Sequence, residues 1–140
     1  MQPHKGISYN TEEMISNKID FHTHSILSHD GGIGEKDYKN TLSEGLLDYI
    51  AITDHNTTDY AFFCQKKFGN RIIVGEEIST REGEVIGLFL EKTIPSQKSL
   101  KETIQAIKMQ KGLVYIPHPF DTRRNGIGED NMLAILSSID

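Results

Sequence analysis

The chain has 140 residues, 36% of them hydrophobic and 25% charged, which is the size and balance of one soluble globular domain. Its formal net charge of -5 argues against an extended nucleic-acid surface and leaves only a local positive pocket for an anionic ligand. No apolar run approaches the roughly 20 residues of a membrane-spanning helix, the first residues lack the apolar core of a secretory signal, and the single cysteine, Cys64, excludes an internal disulfide framework; a cytoplasmic location away from membranes is expected.

Residues 1–17 are polar and irregular and read as a loosely attached N-terminal segment that includes His4. Residues 18–22 read as a short strand entering a polar loop with Gly31, Gly32 and Gly34. Behind Glu35, the apolar positions Tyr38, Leu42 and Leu46 recur at helical spacing, with Gly45 placed to end the helix. Residues 47–53 are a mostly apolar run of strand length. Thr57 or Thr58 can cap a helix that presents Tyr60, Phe63, Cys64 and Phe68 and closes at Gly69 and Asn70. Residues 71–79 and 84–90 are strand-like and are split by a charged turn at 80–83. Ser99 and Glu102 form a capping signature ahead of a helix with Leu100, Ile104 and Ile107 on one face, which stops at Gly112. Residues 113–116 make a further strand, and 129–138 a final helix with Met132, Leu133, Ile135 and Leu136 as its apolar positions.

Strands alternating with amphipathic helices predict an α/β domain on a largely parallel sheet. Two architectures satisfy that pattern: a small doubly wound sheet, or part of a barrel. Eight strand–helix units close a barrel in about 250 residues, so this chain would hold roughly half of one.

The chemistry concentrates where strands are predicted to end. Asp20, Phe21, His22, Thr23 and His24 place two imidazoles at i and i+2, a spacing that shares one face of a strand and lets both point at one ion. Asp20 lies on the same face, one step earlier, suited to orienting a histidine by hydrogen bonding. Ser28, His29, Asp30, Gly31 and Gly32 form the loop after this strand. Thr53, Asp54, His55 and Asn56 follow the second strand, Gly75, Glu76 and Glu77 close the third, and Pro117, His118 and Pro119 close the last. Each motif alone has a structural explanation: a helix cap for Asp54, a solvated charge for Glu77, a polar turn for His118. Together they match the carboxyl-end position of active sites in α/β folds. Imidazoles mixed with carboxylates, without a second cysteine, suit zinc, manganese or iron rather than a thiolate site. More ligand candidates are present than one four-coordinate ion uses, which points to a multinuclear centre.

In order, the segments DFHTHS, SHDGG, AITDHN, GEEIS and IPHPFD resemble the PHP (polymerase and histidinol phosphatase) domain family, from Lys18 to the end of the chain. The resemblance implies a PHP domain over 18–140 with the fold of an incomplete, distorted (β/α)7 TIM-like barrel, mostly parallel, binding two or three divalent metal ions. By position it implies His22 and His24 on a first metal, Asp30 and His55 on another, Glu77 bridging two ions, and His118 on the second of these. Asp20 and Asp54 match positions that support neighbouring histidines. Where many relatives carry a histidine on the fourth strand this chain has Glu84, itself able to ligate the same metals. The implied activity is hydrolysis of a phosphate ester of a small molecule or nucleotide by attack of a metal-bound hydroxide. Arg123 and Arg124 follow the histidine–proline motif and either hold the substrate phosphate or form a solvated basic loop. His29 is either an outer-shell residue or exposed.

Full-length relatives continue into a Glu-x-x-Asn and then a Gly-Ser-Asp-x-His motif. Neither occurs by Asp140, so the domain reads as cut short at its C-terminus. Two other readings follow: a metal-binding but catalytically incomplete fragment, and a metal-dependent amidohydrolase, a barrel class that also opens on H-x-H but needs a lysine at its metals.

Overall fold

A computed structural model describes residues 16–140. His4 and nearly all of the expected N-terminal segment lie outside the described residues, and 16–18 are exposed coil. Strands and helices alternate as β1 (Ile19–Thr23), α1 (Glu35–Ser43), β2 (Tyr49–Ile52), α2 (Asp59–Phe68), β3 (Ile72–Ser79), β4 (Glu84–Leu88), α3 (Leu100–Met109), β5 (Leu113–Tyr115) and α4 (Gly128–Ile135), with 3-10 turns at Gly69–Arg71 and Leu136–Ser138. The α/β class therefore matches the sequence pattern.

The strands form one curled sheet in the order β1-β2-β3-β4-β5. β1 pairs with β2 and β2 with β3 in parallel, but β3 with β4 and β4 with β5 are antiparallel. The expectation of mostly parallel strands is thus corrected to a mixed sheet. A parallel return needs a crossover of about a dozen residues or more, and β3 is followed by β4 after only Thr80, Arg81, Glu82 and Gly83. Because β4 alone runs against the rest, its first residue, Glu84, lies on the rim where β1, β2, β3 and β5 end. Among the described residues β1 and β5 have no outer partner, so the chain presents a curled open sheet, compatible with part of a barrel, rather than a closed (β/α)7 one.

β3 joins the two halves. Ile72, Ile73 and Val74 pair with β2, whereas Gly75 to Ser79 pair with β4. Its alternation separates two apolar clusters. Ile72, Val74 and Ile78 join the larger core beneath the helices, with Tyr38, Leu42, Cys64, Ile104, Ile107 and Ile135. Ile73 faces the other way into a smaller cluster with Ala51, Ile86 and Leu88. Cys64 is fully buried, and burial pushes its thiol up to about 11, in keeping with a core role.

Local expectations hold where spacing and caps agree. Ser99 accepts from the Glu102 amide while the Glu102 carboxylate accepts from the Ser99 amide, closing the capping box of α3. They fail at element ends and on outward helix faces. Leu46 lies beyond α1 and is 59% exposed; Phe63 is turned outward beneath the Lys67 ammonium. β4 stops at Leu88, and Leu133 and Leu136 of the last helical stretch are exposed.

Candidate metal centre

The first strand carries a register break. Asp20 pairs with Ile50 and Thr23 with Ile52, so three steps on β1 face two on β2. Such bulges re-aim side chains, and here the break lies beside His22. The Asp20 carboxylate accepts from the His22 backbone amide at 3.1 Å. Asp20 therefore acts on the backbone of the bulge, whereas the sequence suggested a bond to an imidazole.

The loop after β1 folds back against the strand end. Gly32 and Ile33 donate to the His24 carbonyl, and Gly31 to that of Ser28. At Gly31 a Cβ would lie 2.1 Å from the Ser25 carbonyl oxygen, so only glycine permits the close approach that brings Asp30 over the site. His55 is delivered by continued pairing beyond β2: Asn56 donates to the Glu77 carbonyl, Glu77 to the Asp54 carbonyl, and His55 bridges Glu77. His118, between Pro117 and Pro119, has φ of +27°, a conformation costly for a residue with a Cβ.

These segments converge on Glu77, whose side chain is 1% exposed. Its Oε2 lies 3.1 Å from His22 Nε2, 2.9 Å from His24 Nε2 and 3.6 Å from His55 Nε2, while Oε1 lies 3.2 Å from His118 Nε2. Asp30 Oδ2 is 3.0 Å from His55 Nε2, and Glu84 comes within 3.6 Å of His55 Nδ1 and 3.8 Å of His118 Nε2. Three triads suited to a metal ion result: His22, His24 and Glu77; His24, Asp30 and His55; Glu77, Glu84 and His118. Every metal-ligand candidate read from the sequence enters one of them. Glu77 was expected at a strand end; it lies within β3, two residues before Ser79, opposite Ile86 of the antiparallel β4.

Asp54 is 1% exposed and reaches the histidines indirectly. Its carboxylate accepts from the Ser25 amide (2.7 Å), the Ser25 hydroxyl (2.5 Å) and the Ser28 hydroxyl (2.9 Å). Ser28 Oγ in turn lies 3.3 Å from His24 Nδ1 and accepts from the His55 amide. Ser28 spends its proton on Asp54, so at His24 it accepts, which places the proton of the neutral imidazole on Nδ1 and leaves Nε2 free for a cation or a second proton. Ser25 and Ser28 were not singled out from sequence. Their polarity was visible beside H-x-H, but a partner 29 or 26 positions away was not.

Charge follows this geometry. Burial raises the Glu77 carboxyl, but the imidazoles of His22 and His24 outweigh it and hold the group well below the usual glutamate range. Burial likewise disfavours charge on His24, yet Glu77 raises its pKa overall. Asp30, despite partial burial, is lowered by His55. Glu84 is pushed up to about 7 by burial and then by the Glu77 charge.

The donor set fits a divalent cation. The first triad has edges of 2.9, 2.9 and 3.1 Å, and ligands at about 2.0–2.1 Å from an ion stand roughly 2.9–3.4 Å apart. A bare Nε2 facing a carboxylate oxygen at 2.9 Å also requires a positive charge between them, a cation or a proton.

The cluster lines a cavity of about 630 Å³ whose rim adds His29, Arg123, Arg124 and Asn125. His29 is exposed, its ring 4.9 Å from that of His55. Arg123 and Arg124 are largely exposed and engage Asp121. Tyr115 stands edge-on to His22 at 6.3 Å, a contact invisible in the sequence.

The fold and cluster define a class: a curled α/β sheet holding a histidine–carboxylate centre suited to metal. The chain is 35% identical over 125 residues to uncharacterized protein MJ1587 of Methanocaldococcus jannaschii, covering 80% of this chain and 73% of that one, and it belongs to that protein's family. It is also 37% identical to MJ0417 of the same organism over 83% of its own length, but spans only 46% of that relative. The crystal structure of a two-domain protein from Bacteroides vulgatus, described as containing a predicted PHP-like metal-dependent phosphoesterase, superposes with a TM-score of 0.70. That match has 21% identity and covers 88% of this chain and 42% of the other, and it establishes the shared fold. No family model matches the chain. Among the described residues no helix is long and apolar enough to cross a membrane.

Proposed function

We propose that the chain is the metal-binding part of a PHP-type phosphoesterase that hydrolyses a phosphate ester of a small molecule or nucleotide, using two or three divalent cations such as zinc, manganese or iron. The observation that carries this reading is the sharing of Glu77: one carboxylate oxygen faces His22 and His24, the other faces His118. A carboxylate so disposed suits a pair of ions. His55, Asp30 and Glu84 complete the flanking triads. Bound divalent cations supply a water of lowered pKa and neutralise charge on phosphoryl oxygens. The chain's own residues do the rest. Asp54, through Ser28, holds His24 in the tautomer with Nε2 bare, and Asp20 secures the bulge that turns His22 inward. Arg123 and Arg124, on the cavity rim, offer planar donors to phosphate oxygens.

An amidohydrolase is disfavoured by the cavity lining, which contains no lysine among the described residues. Metal content by elemental analysis and phosphate release from a phenolic phosphate ester, measured beside cleavage of a cyclic amide, test the reading. Metal uptake with phosphate release is expected; amide cleavage without phosphate release overturns it. The chain spans less than half of MJ0417 and of the Bacteroides protein. Metal uptake without turnover, restored in a longer natural form, would assign the chain the role of a metal-binding but catalytically incomplete part.

A further inference from the structure

The segment after β5 is folded more tightly than a solvated basic loop requires. Asp121 donates its amide to the His118 carbonyl, Gly126 to the Arg124 carbonyl, and Gly128 to the Pro119 carbonyl. A Cβ at Gly126 would lie 2.6 Å from the His118 oxygen and 2.7 Å from that of Pro119, so the loop closes on its own base only with glycine there. Its far side is tied to the neighbouring strand: the Glu84 amide donates to the Asn125 carbonyl at 2.8 Å. Ile127 anchors it in the core at 3% exposure. Two residues of the proposed centre, His118 and Glu84, thus share one backbone frame with the arginines.

Inside that frame one carboxylate faces both guanidinium groups. Asp121 Oδ1 accepts from the Arg123 amide at 2.9 Å and lies 3.5 Å from Arg123 Nε; Oδ2 lies 3.7 Å from Arg124 Nε. Both contacts use Nε. Among the described residues no hydrogen bond engages the Nη atoms of either arginine, and both side chains line the cavity.

We propose that Asp121 is a positioning residue, which holds Arg123 and Arg124 by their Nε atoms so that their Nη atoms form one anion clamp at the mouth of the metal cavity. This rests on the phosphoesterase reading, because the clamp's ligand is a phosphate group. Asp121 touches no substrate; it acts through the arginines. The simple electrostatic alternative has the opposite sign: removal of a carboxylate near an anion site would tighten binding.

The test is a titration of the metal-loaded chain with inorganic phosphate, followed by calorimetry, for wild type, Asp121→Asn, Arg123→Ala/Arg124→Ala and the triple variant. Asparagine keeps an oxygen for the Arg123 amide and loses only the charge. Asp121→Asn is expected to weaken phosphate binding about three- to fivefold, the scale of exposed ion pairs, with metal content and thermal midpoint unchanged, and to have no further effect once both arginines are gone. Asp121→Glu is expected to restore part of the loss. Tighter binding in Asp121→Asn, or an equal loss with the arginines absent, overturns the positioning role alone. A wild-type chain that takes up metal yet binds no phosphate overturns both this role and the phosphoesterase reading.

Discussion

Glu76 and Glu77 are neighbours in β3, are both almost inaccessible to water, and meet opposite environments on the two faces of the strand. Glu77 looks into the cavity, where the imidazoles of His22, His24 and His118 surround it and hold its carboxyl below the usual range against the effect of burial. Glu76 looks beneath the helices. One oxygen accepts from the Ile94 amide at 2.8 Å, the other has no partner among the described residues, and burial pushes the carboxyl up to about 7. The same side chain is thus an anion shared by imidazoles on one face and a reluctant, proton-holding group on the other. What distinguishes them is the partners each face supplies, since burial itself is equal.

The largest effect expected from breaking this contrast is at Glu77. It belongs to two of the three triads, so Glu77→Gln should reduce bound metal to about one ion per chain or less, with an affinity loss beyond the roughly 10–100-fold that follows removal of an outer partner. Glu76→Gln should leave metal content as in wild type. Elemental analysis of the two variants decides it, and equal loss in both would erase the distinction between the faces.

Asp54 sharpens the contrast from the other side, as a third carboxylate with 1% exposure and the fullest set of donors. Asp54→Ala would leave two serine hydroxyls and one amide buried without their acceptor. Urea denaturation should report a loss of at least about 2 kcal/mol, together with weaker metal binding because His24 loses its fixed tautomer. Unchanged stability would mean that water replaces the carboxylate.

The smallest effect, and the most specific, is a difference in pH dependence in the chelator-treated chain. Glu76 has a raised folded pKa, so its contribution to stability is fully present below 4.5 and is lost as pH rises through about 7. Glu77 has a depressed one, so its contribution is present above 4.5 and is lost as pH falls below it. Glu76→Gln should therefore flatten stability between pH 4.5 and about 7, and Glu77→Gln should flatten it on the acid side. Denaturation midpoints across pH would overturn the assignment if both variants changed the same window.

Much of the site was legible because its residues are bound to strand ends by spacing. The i, i+2 pair of His22 and His24, the glycines beside Asp30, and Thr53 to Asn56 are local patterns whose geometry follows from a few adjacent backbone positions. Less legible was the choice between Glu76 and Glu77, which depends on the phase of β3 against two neighbours at once. The role of Asp20 was misjudged for a similar reason: a register break diverts its carboxylate to a backbone amide, and a break in pairing has no signature within β1 alone. Outward-facing apolar positions are equally illegible. Leu46 and Leu133 continue the helical spacing, yet nothing packs over them.

From the sequence alone came the α/β alternation, the capping box at Ser99, and the coming together of histidines and carboxylates at one rim, because periodicity, caps and donor spacing are properties of short segments. The tertiary structure alone decided that β4 runs backwards and so brings Glu84 to the rim, that Glu77 is shared between triads, that serines relay Asp54 to His24, and that one carboxylate gathers both arginines. Each of those depends on pairing between residues far apart in the chain, where strand direction and side-chain reach set distances that no local pattern encodes.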